Sequence, residues 1–178
     1  MRTIVILFTI IAGTLSLFAQ DFTVTSNDIS GQLSKNQEFS GFGCSGKNMS
    51  PALEWKDPPK GTKSFALTLY DPDAPTGSGW WHWLVFNIPN NVTHLAENAS
   101  AQKTLPKGAV ESVNDYGQTQ FGGACPPAGD KAHRYVLTVY ALDVEKLDLD
   151  ADARPALVGY MLNAHAIAKS STIGYYDQ

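Results

Sequence analysis

Three side chains able to handle charge or protons stand at the ends of apolar runs: Asp71 in "SFALTLYDPDAP", His82 in "GWWHWLVFNIP" and His133 in "CPPAGDKAHRYVLTVYAL". A carboxylate beside an imidazole orients the ring and raises its pKa, because a nearby negative charge favours the protonated form. A pocket built from such a set would accept an anion, a phosphate ester or a carboxylate. Cys125, Pro126 and Pro127 lie just upstream of His133, and a Pro-Pro pair makes a stiff pocket wall with few donors of its own.

The elements that must position these groups follow from strand phase, since alternate side chains of a strand share a face. Phe65, Leu67 and Leu69 point one way, and Asp71 is next in that row. Pro72 and Pro75 hold the residues before them extended and remove two backbone donors, so the turn carrying Asp71 is stiff. The same rule sets His82 with Leu84 and Phe86, opposite Trp81, Trp83 and Val85. It groups His133 with Tyr135 and Leu137 and turns Arg134 to the other side.

Each residue also has a plainer reading. A single Asp in a turn commonly serves local backbone hydrogen bonds, and a single His is more often structural than a ligand. His94 and His165 stay with that reading, and Trp80, Trp81 and Trp83 read as core or pocket wall. Two histidines and an aspartate suffice for a facial metal triad, but the local ligand spacings of metal motifs are absent, so no metal is expected. Ser45 and Ser78 miss the Gly-x-Ser-x-Gly spacing, and neither a P-loop nor a dinucleotide glycine signature occurs. Asn-x-Ser/Thr triplets at Asn48, Asn91 and Asn98 matter only where exported chains are glycosylated.

Aromatic and β-branched runs predict strands over 22–26, 52–55, 64–70, 81–88 and 135–142. Long polar or glycine-rich connections at 41–50 and 116–132 have the length of functional or pinned loops. One helix is predicted in "DADARPALVGYMLNAHAIAKSS", with Leu157, Val158, Met161, Leu162 and His165 on one face. Asp150 or Asp152 would cap it, Pro155 would sit in its first turn, and a short extended piece over 172–176 would follow.

The first 19 residues combine Arg2, an apolar run and a small residue at Ala19, the pattern of a secretory signal, although Leu17 is large for the position three before the cut. The run is shorter than the roughly 20 apolar residues of a membrane span, so a retained anchor is the weaker reading. Removing 1–19 leaves 159 of the 178 residues, one domain at 20–178. The whole chain has net charge −4, and the mature part loses only Arg2, which argues against nucleic acid or an anionic lipid surface as a bulk partner. Cys44 and Cys125 are the only cysteines, and in an oxidising compartment a bridge between them is the first expectation. Two free buried thiols or one reactive cysteine are the alternatives.

With these residues assigned, the sequence resembles the phosphatidylethanolamine-binding (Raf kinase inhibitor-like) protein family. "DPDAP" at 71–75, "GWWHWLVFNIP" at 79–89 and "CPPAGDKAHRY" at 125–135 look like its two signature regions. "CSGKNMSPALEW" at 44–55 and the ending "VGYMLNAHAIAKSSTIGYY" are similar to its bacterial YbhB/YbcL branch. The resemblance implies a mainly β, sandwich-like fold with a large antiparallel sheet, a smaller second sheet and peripheral helices. It also implies a small anion pocket, onto which Asp71, His82, Pro126, Pro127, His133 and Tyr135 map by motif. Cys125 stands where eukaryotic members tend to have Gly, and Trp81 where a second histidine often stands, so headgroup preference is not carried over.

The expectation is therefore an exported, non-enzymatic protein, periplasmic or secreted, that binds a small anionic or phosphorylated ligand without a cofactor. A protein partner and a homodimer are both compatible with it. The rival is a hydrolase using the Asp71 and histidine cluster for acid/base work, for which no nucleophile or metal motif is evident.

Overall fold

The computed structural model describes residues 21–178, so the signal-peptide reading of 1–19 lies outside the described residues. Eleven strands and two helices follow in order: β1 (Thr23–Thr25), β2 (Gly31–Gln32), β3 (Ser40–Gly41), β4 (Cys44–Ser45), β5 (Leu53–Lys56), β6 (Ser64–Asp71), β7 (Trp80–Pro89), β8 (His94–Leu95), α1 (Ala99–Gln102), β9 (Val110–Glu111), β10 (His133–Leu142), α2 (Pro155–His165) and β11 (Ala166–Tyr176). Six of them form a sheet in the order β2-β11-β10-β6-β7-β9, and β1-β5-β8 form a smaller one. The large sheet is mixed, not wholly antiparallel: its edge strand β2 runs parallel to β11.

Both faces of the large sheet are used. Phe65, Leu67 and Leu69 of β6 and Tyr135, Leu137 and Val139 of β10 pack with Leu53 and Trp55 of the small sheet. On the opposite face Ala66, Leu84, Phe86 and Leu142 pack against Val158 and Leu162 of α2. This double burial explains why β6 reads as a nearly continuous apolar run.

The helix departs from the sequence reading at both ends. It starts at Pro155 with Arg154 in extended backbone at the cap and no side-chain capping bond, so neither Asp150 nor Asp152 caps it. Leu157 lies exposed, while Val158 and Leu162 are buried. After His165 the chain passes directly into an 11-residue strand, far longer than the stretch expected at 172–176. Ladder pairing of β11 with nearly all of β10 outweighs the helical tendency of "AIAK". Ser170 and Ser171 are consumed there: Ser170 Oγ accepts from the Val24 N–H at 3.0 Å and Ser171 Oγ lies 2.8 Å from Thr138 Oγ1. No helix among the described residues is long and apolar enough to cross a membrane.

Candidate functional site

Asp71 ends β6 and turns the chain with its own side chain. Its Oδ1 accepts the backbone N–H groups of Asp73 at 2.8 Å and Ala74 at 3.1 Å, as an Asx turn requires. Its Oδ2 faces across the sheet and accepts from Nδ1 of His133 at 2.8 Å. Both groups are buried, so the pair fixes one imidazole orientation at the mouth of β10. On the far side of the ring, His133 Nε2 lies 3.6 Å from an Asp130 carboxylate oxygen.

His82 reaches the same place by a route that strict alternation does not allow. In the register of β6 with β7, Leu69 faces Trp83 and Tyr70 faces Trp81, which leaves His82 as the extra residue of a β-bulge. The expectation that His82 shares a face with Leu84 and Phe86 is therefore corrected. Those two point toward α2, while His82 packs edge-on against Tyr135 on the other face, with ring centroids 5.1 Å apart. A second bulge at Asn87, whose φ is 59°, returns Ile88 to the main core.

The His82 ring is pinned from behind. Its Nδ1 donates to the carbonyls of Gly122 at 2.8 Å and Gly123 at 3.1 Å. Glycine is needed at both places: a Cβ on Gly122 would come 2.4 Å from the Tyr116 ring, and one on Gly123 would come 2.2 Å from the Gln37 carbonyl. Asn48 ties this segment down, accepting from the Gly123 N–H at 2.7 Å and donating to the Phe121 carbonyl at 3.2 Å. Its amide thus serves the interior of the long loop.

Asp71, His82, Pro126, Pro127, His133 and Tyr135 all line one cavity of about 170 Å³. Phe42, Trp80 and Tyr116 complete its walls, together with Pro75 and Thr76. Tyr116 organises them, stacking on Phe39 at 4.2 Å and meeting Trp80 edge-on at 5.3 Å. Sequence reasoning left Trp80 as core or wall and did not single out Phe42 or Tyr116. The one signal for Phe42 is its place between two glycines in "GFGC". Cys44, two residues on, is bridged to Cys125 with Cα atoms 6.0 Å apart, so the hairpin tip is held against the Pro126-Pro127 wall.

The charge pattern around the cavity is spare. Among the described residues, no lysine or arginine lines it. Arg134 points away and clamps Asp73 at 2.6 and 2.8 Å; that clamp holds the Asp73 carboxyl down to about 2. Burial pushes the Tyr116 and Tyr135 hydroxyls upward, so both stay neutral. Burial also pushes His82 down to about 4, against the pull of the Gly122 carbonyl and the Asp71 charge. Among the described residues, Trp80 Nε1 and His82 Nε2 are buried without a hydrogen-bond partner, and the Tyr135 hydroxyl, whose oxygen lies near the Cys125 backbone N–H, has no acceptor for its own hydrogen. Unmade bonds of this kind are costly, and here they gather on the walls of one hollow. Among the described residues, no group of three or more His, Cys, Asp or Glu is arranged to hold a metal ion. His94 and His165 lie elsewhere, the latter 3.0 Å from Asp143.

The sequence profile of the phosphatidylethanolamine-binding proteins matches residues 29–177. The chain belongs to that family. It is 51% identical over 181 aligned positions to the UPF0098 protein YbcL of Escherichia coli, covering 99% of each. To the UPF0098 protein YbhB of the same organism it is 46% identical over 155 positions, covering 85% of this chain and 98% of the relative. The crystal structure of E. coli YbcL, described as a new member of the mammalian PEBP family, superposes with a TM-score of 0.87 at 54% identity, covering 89% of this chain and 99% of that one. A putative family homologue from Chlamydia trachomatis, CT736, superposes with a TM-score of 0.73 at 30% identity, covering 88% and 97%. Membership and fold together support a ligand-binding protein in the general sense.

Proposed function

We propose that this chain is an exported binding protein whose cavity takes a small phosphorylated or carboxylated group and releases it unchanged. One observation carries the reading: three buried polar groups without partners, on Trp80, His82 and Tyr135, line the hollow that the Asp71–His133 pair also borders. A bound oxyanion would accept from the Trp80 indole N–H, the Tyr135 hydroxyl and the His133 ring. Neither the thiol nor the aliphatic hydroxyl of the lining is free to attack, which favours binding over turnover: Cys125 is bridged, and the Thr76 hydroxyl donates to the Gly79 carbonyl at 2.5 Å. Calorimetric titration with phosphorylethanolamine tests the reading, with heat and NMR shifts at His82 and His133 as the expected result. No heat and no shift would refute it, and turnover of a phosphoester panel that disappears in His133→Ala would replace it with hydrolysis.

Export is supported by the leader pattern of residues 1–19 and by a disulfide, which persists in oxidising compartments. Protein that stays in the spheroplasts after osmotic shock, with Met1 intact, would count against it. A protein partner at the cavity mouth fits the same reading, because Phe42 is 77% exposed there. Capture from an extracellular or periplasmic extract should weaken in Phe42→Ser, and undiminished capture would speak against this face.

A further inference from the structure

One side chain of the cavity wall, His82, carries an acceptor without a partner among the described residues. Carbonyl oxygens only accept, so the short contacts of His82 Nδ1 with Gly122 at 2.8 Å and Gly123 at 3.1 Å assign the ring hydrogen to Nδ1. In the neutral ring Nε2 is then an acceptor alone. It is buried, has no partner among the described residues, and belongs to a side chain that forms part of the cavity wall. Burial keeps the ring neutral: His82 is 2% exposed, and loss of solvent disfavours its charged form. The titratable groups that act on it are Asp71 and His133, in opposite directions, and the rings against it are those of Tyr116 and Tyr135.

An oxyanion with lone pairs on every oxygen would set one of them against the Nε2 lone pair. An anion that still carries one O–H would instead close a hydrogen bond there and leave its other oxygens for Trp80, Tyr135 and His133. We infer that His82 selects the singly charged form of a phosphate monoester, accepting its P–O–H hydrogen at Nε2, over sulfate esters, carboxylates and phosphate diesters. The inference rests on the anion reading of the site and narrows it. Its consequence is specific: a phosphodiester headgroup carries no such hydrogen and is the poorer ligand, whereas a monoester, free or at the end of a lipid, is the better one.

Methyl phosphate, methyl sulfate and dimethyl phosphate separate these cases, since near pH 5 all three are small singly charged tetrahedral anions and only the first has an O–H. Calorimetry on the mature wild-type chain should give methyl phosphate at least about tenfold tighter binding than either of the others, as expected when a site built to accept a hydroxyl meets a ligand lacking one. Raising the pH through the second phosphate ionisation near 6 should weaken methyl phosphate by up to about tenfold per further unit relative to methyl sulfate, whose own pH response reads the protein groups alone. Equal affinity for the three anions with parallel pH profiles overturns the selection and leaves the anion reading standing. No binding of any of them overturns both.

His82→Gln, whose amide offers a donor as well as an acceptor, should lose most of the preference; a folded variant that keeps it counts against the inference, and the wild-type series decides if the variant does not fold. Phosphatidylcholine vesicles doped with phosphatidate or with phosphatidylethanolamine distinguish the sources. Sedimentation with phosphatidate alone assigns a lipid monoester, and binding of methyl phosphate without sedimentation assigns a soluble one. Equal sedimentation with both lipids is a result against the proposal.

Discussion

The Asp71 carboxylate stands 2.8 Å from Nδ1 of His133 and ties the last residue of β6 to the first of β10. It does so with one oxygen only. The other closes the turn that follows, on the N–H groups of Asp73 and Ala74. The turn role and the site role that compete for this residue in the sequence are therefore both filled by it, one per oxygen.

Removing that carboxylate should be costly out of proportion to its size. Asp71→Ala leaves a buried imidazole N–H and two turn amides without an acceptor, a loss of about 2–4 kcal/mol. Asp71→Asn retains an acceptor for the turn and should cost less, while presenting an amide to His133 and shifting its ring nitrogen resonances. Urea unfolding of both variants measures the difference, and an alanine variant within about 0.5 kcal/mol of wild type would contradict the pairing.

Burial of His82 predicts a stability that falls with acid well before the carboxylates titrate. The ring is held down to about 4, mainly by desolvation, against an ordinary value of 6.5. Between those limits the unfolded chain binds a proton that the folded one refuses, so stability is full above about 6.5, declines as the pH drops toward 4, and levels off below. The drop corresponds to on the order of 3 kcal/mol. Urea midpoints at intervals between pH 7.5 and 4 should trace this slope in wild type. The slope should flatten in a folded His82→Gln, and a wild-type midpoint unchanged over that window would refute neutral burial.

How far the site could be read beforehand depends on which residues obey a period. Asp71, His133 and Tyr135 sit in regular strand phase, and the arrangement of residues two apart placed them on the cavity face. His82 does not obey it, because a bulge depends on how β6 and β7 fit and leaves no mark in the phase of either run. Its membership of the cluster was legible as a histidine at a strand end, but its face was not. Phe42, Tyr116, Gly122 and Gly123 lie in loops, where no period exists to be read, and their roles come from close approaches visible only in three dimensions. The full length of β11 was hidden for a related reason: an exposed alternating segment with few large apolar residues looks like a helix tail until its partner β10 is known.

The Cys44–Cys125 bridge spans 81 residues. Closing a loop of that length constrains the unfolded chain by about 4–5 kcal/mol in the entropic account, and measured values often come out lower. The Cys44→Ser, Cys125→Ser double variant should therefore unfold at clearly lower urea. It should also free the Phe42 hairpin tip from the proline wall, seen as faster amide exchange over 41–45 than in the oxidised protein. Two alkylatable thiols in protein purified without reductant would remove the basis for this prediction.

Gly122 and Gly123 offer a graded test of how tightly the His82 anchor is held. A methyl at Gly122 meets the edge of the Tyr116 ring at 2.4 Å, and a ring can swing aside at some cost to the cavity wall. A methyl at Gly123 meets the Gln37 carbonyl oxygen at 2.2 Å and the Glu38 backbone at 2.6 Å. Backbone there cannot yield, because the Phe39 N–H donates to the Ala124 carbonyl at 2.9 Å and the Ala124 N–H to the Gln37 carbonyl at 3.0 Å. Overpacking of the first kind costs about 1–3 kcal/mol, and the second should exceed it. Both substitutions shift the carbonyls that hold Nδ1, so each should move the His82 ring resonances even where the fold survives. Thermal unfolding ranks the two variants, and a Gly123→Ala protein as stable as Gly122→Ala would mean that the segment beneath His82 is looser than its hydrogen bonds require.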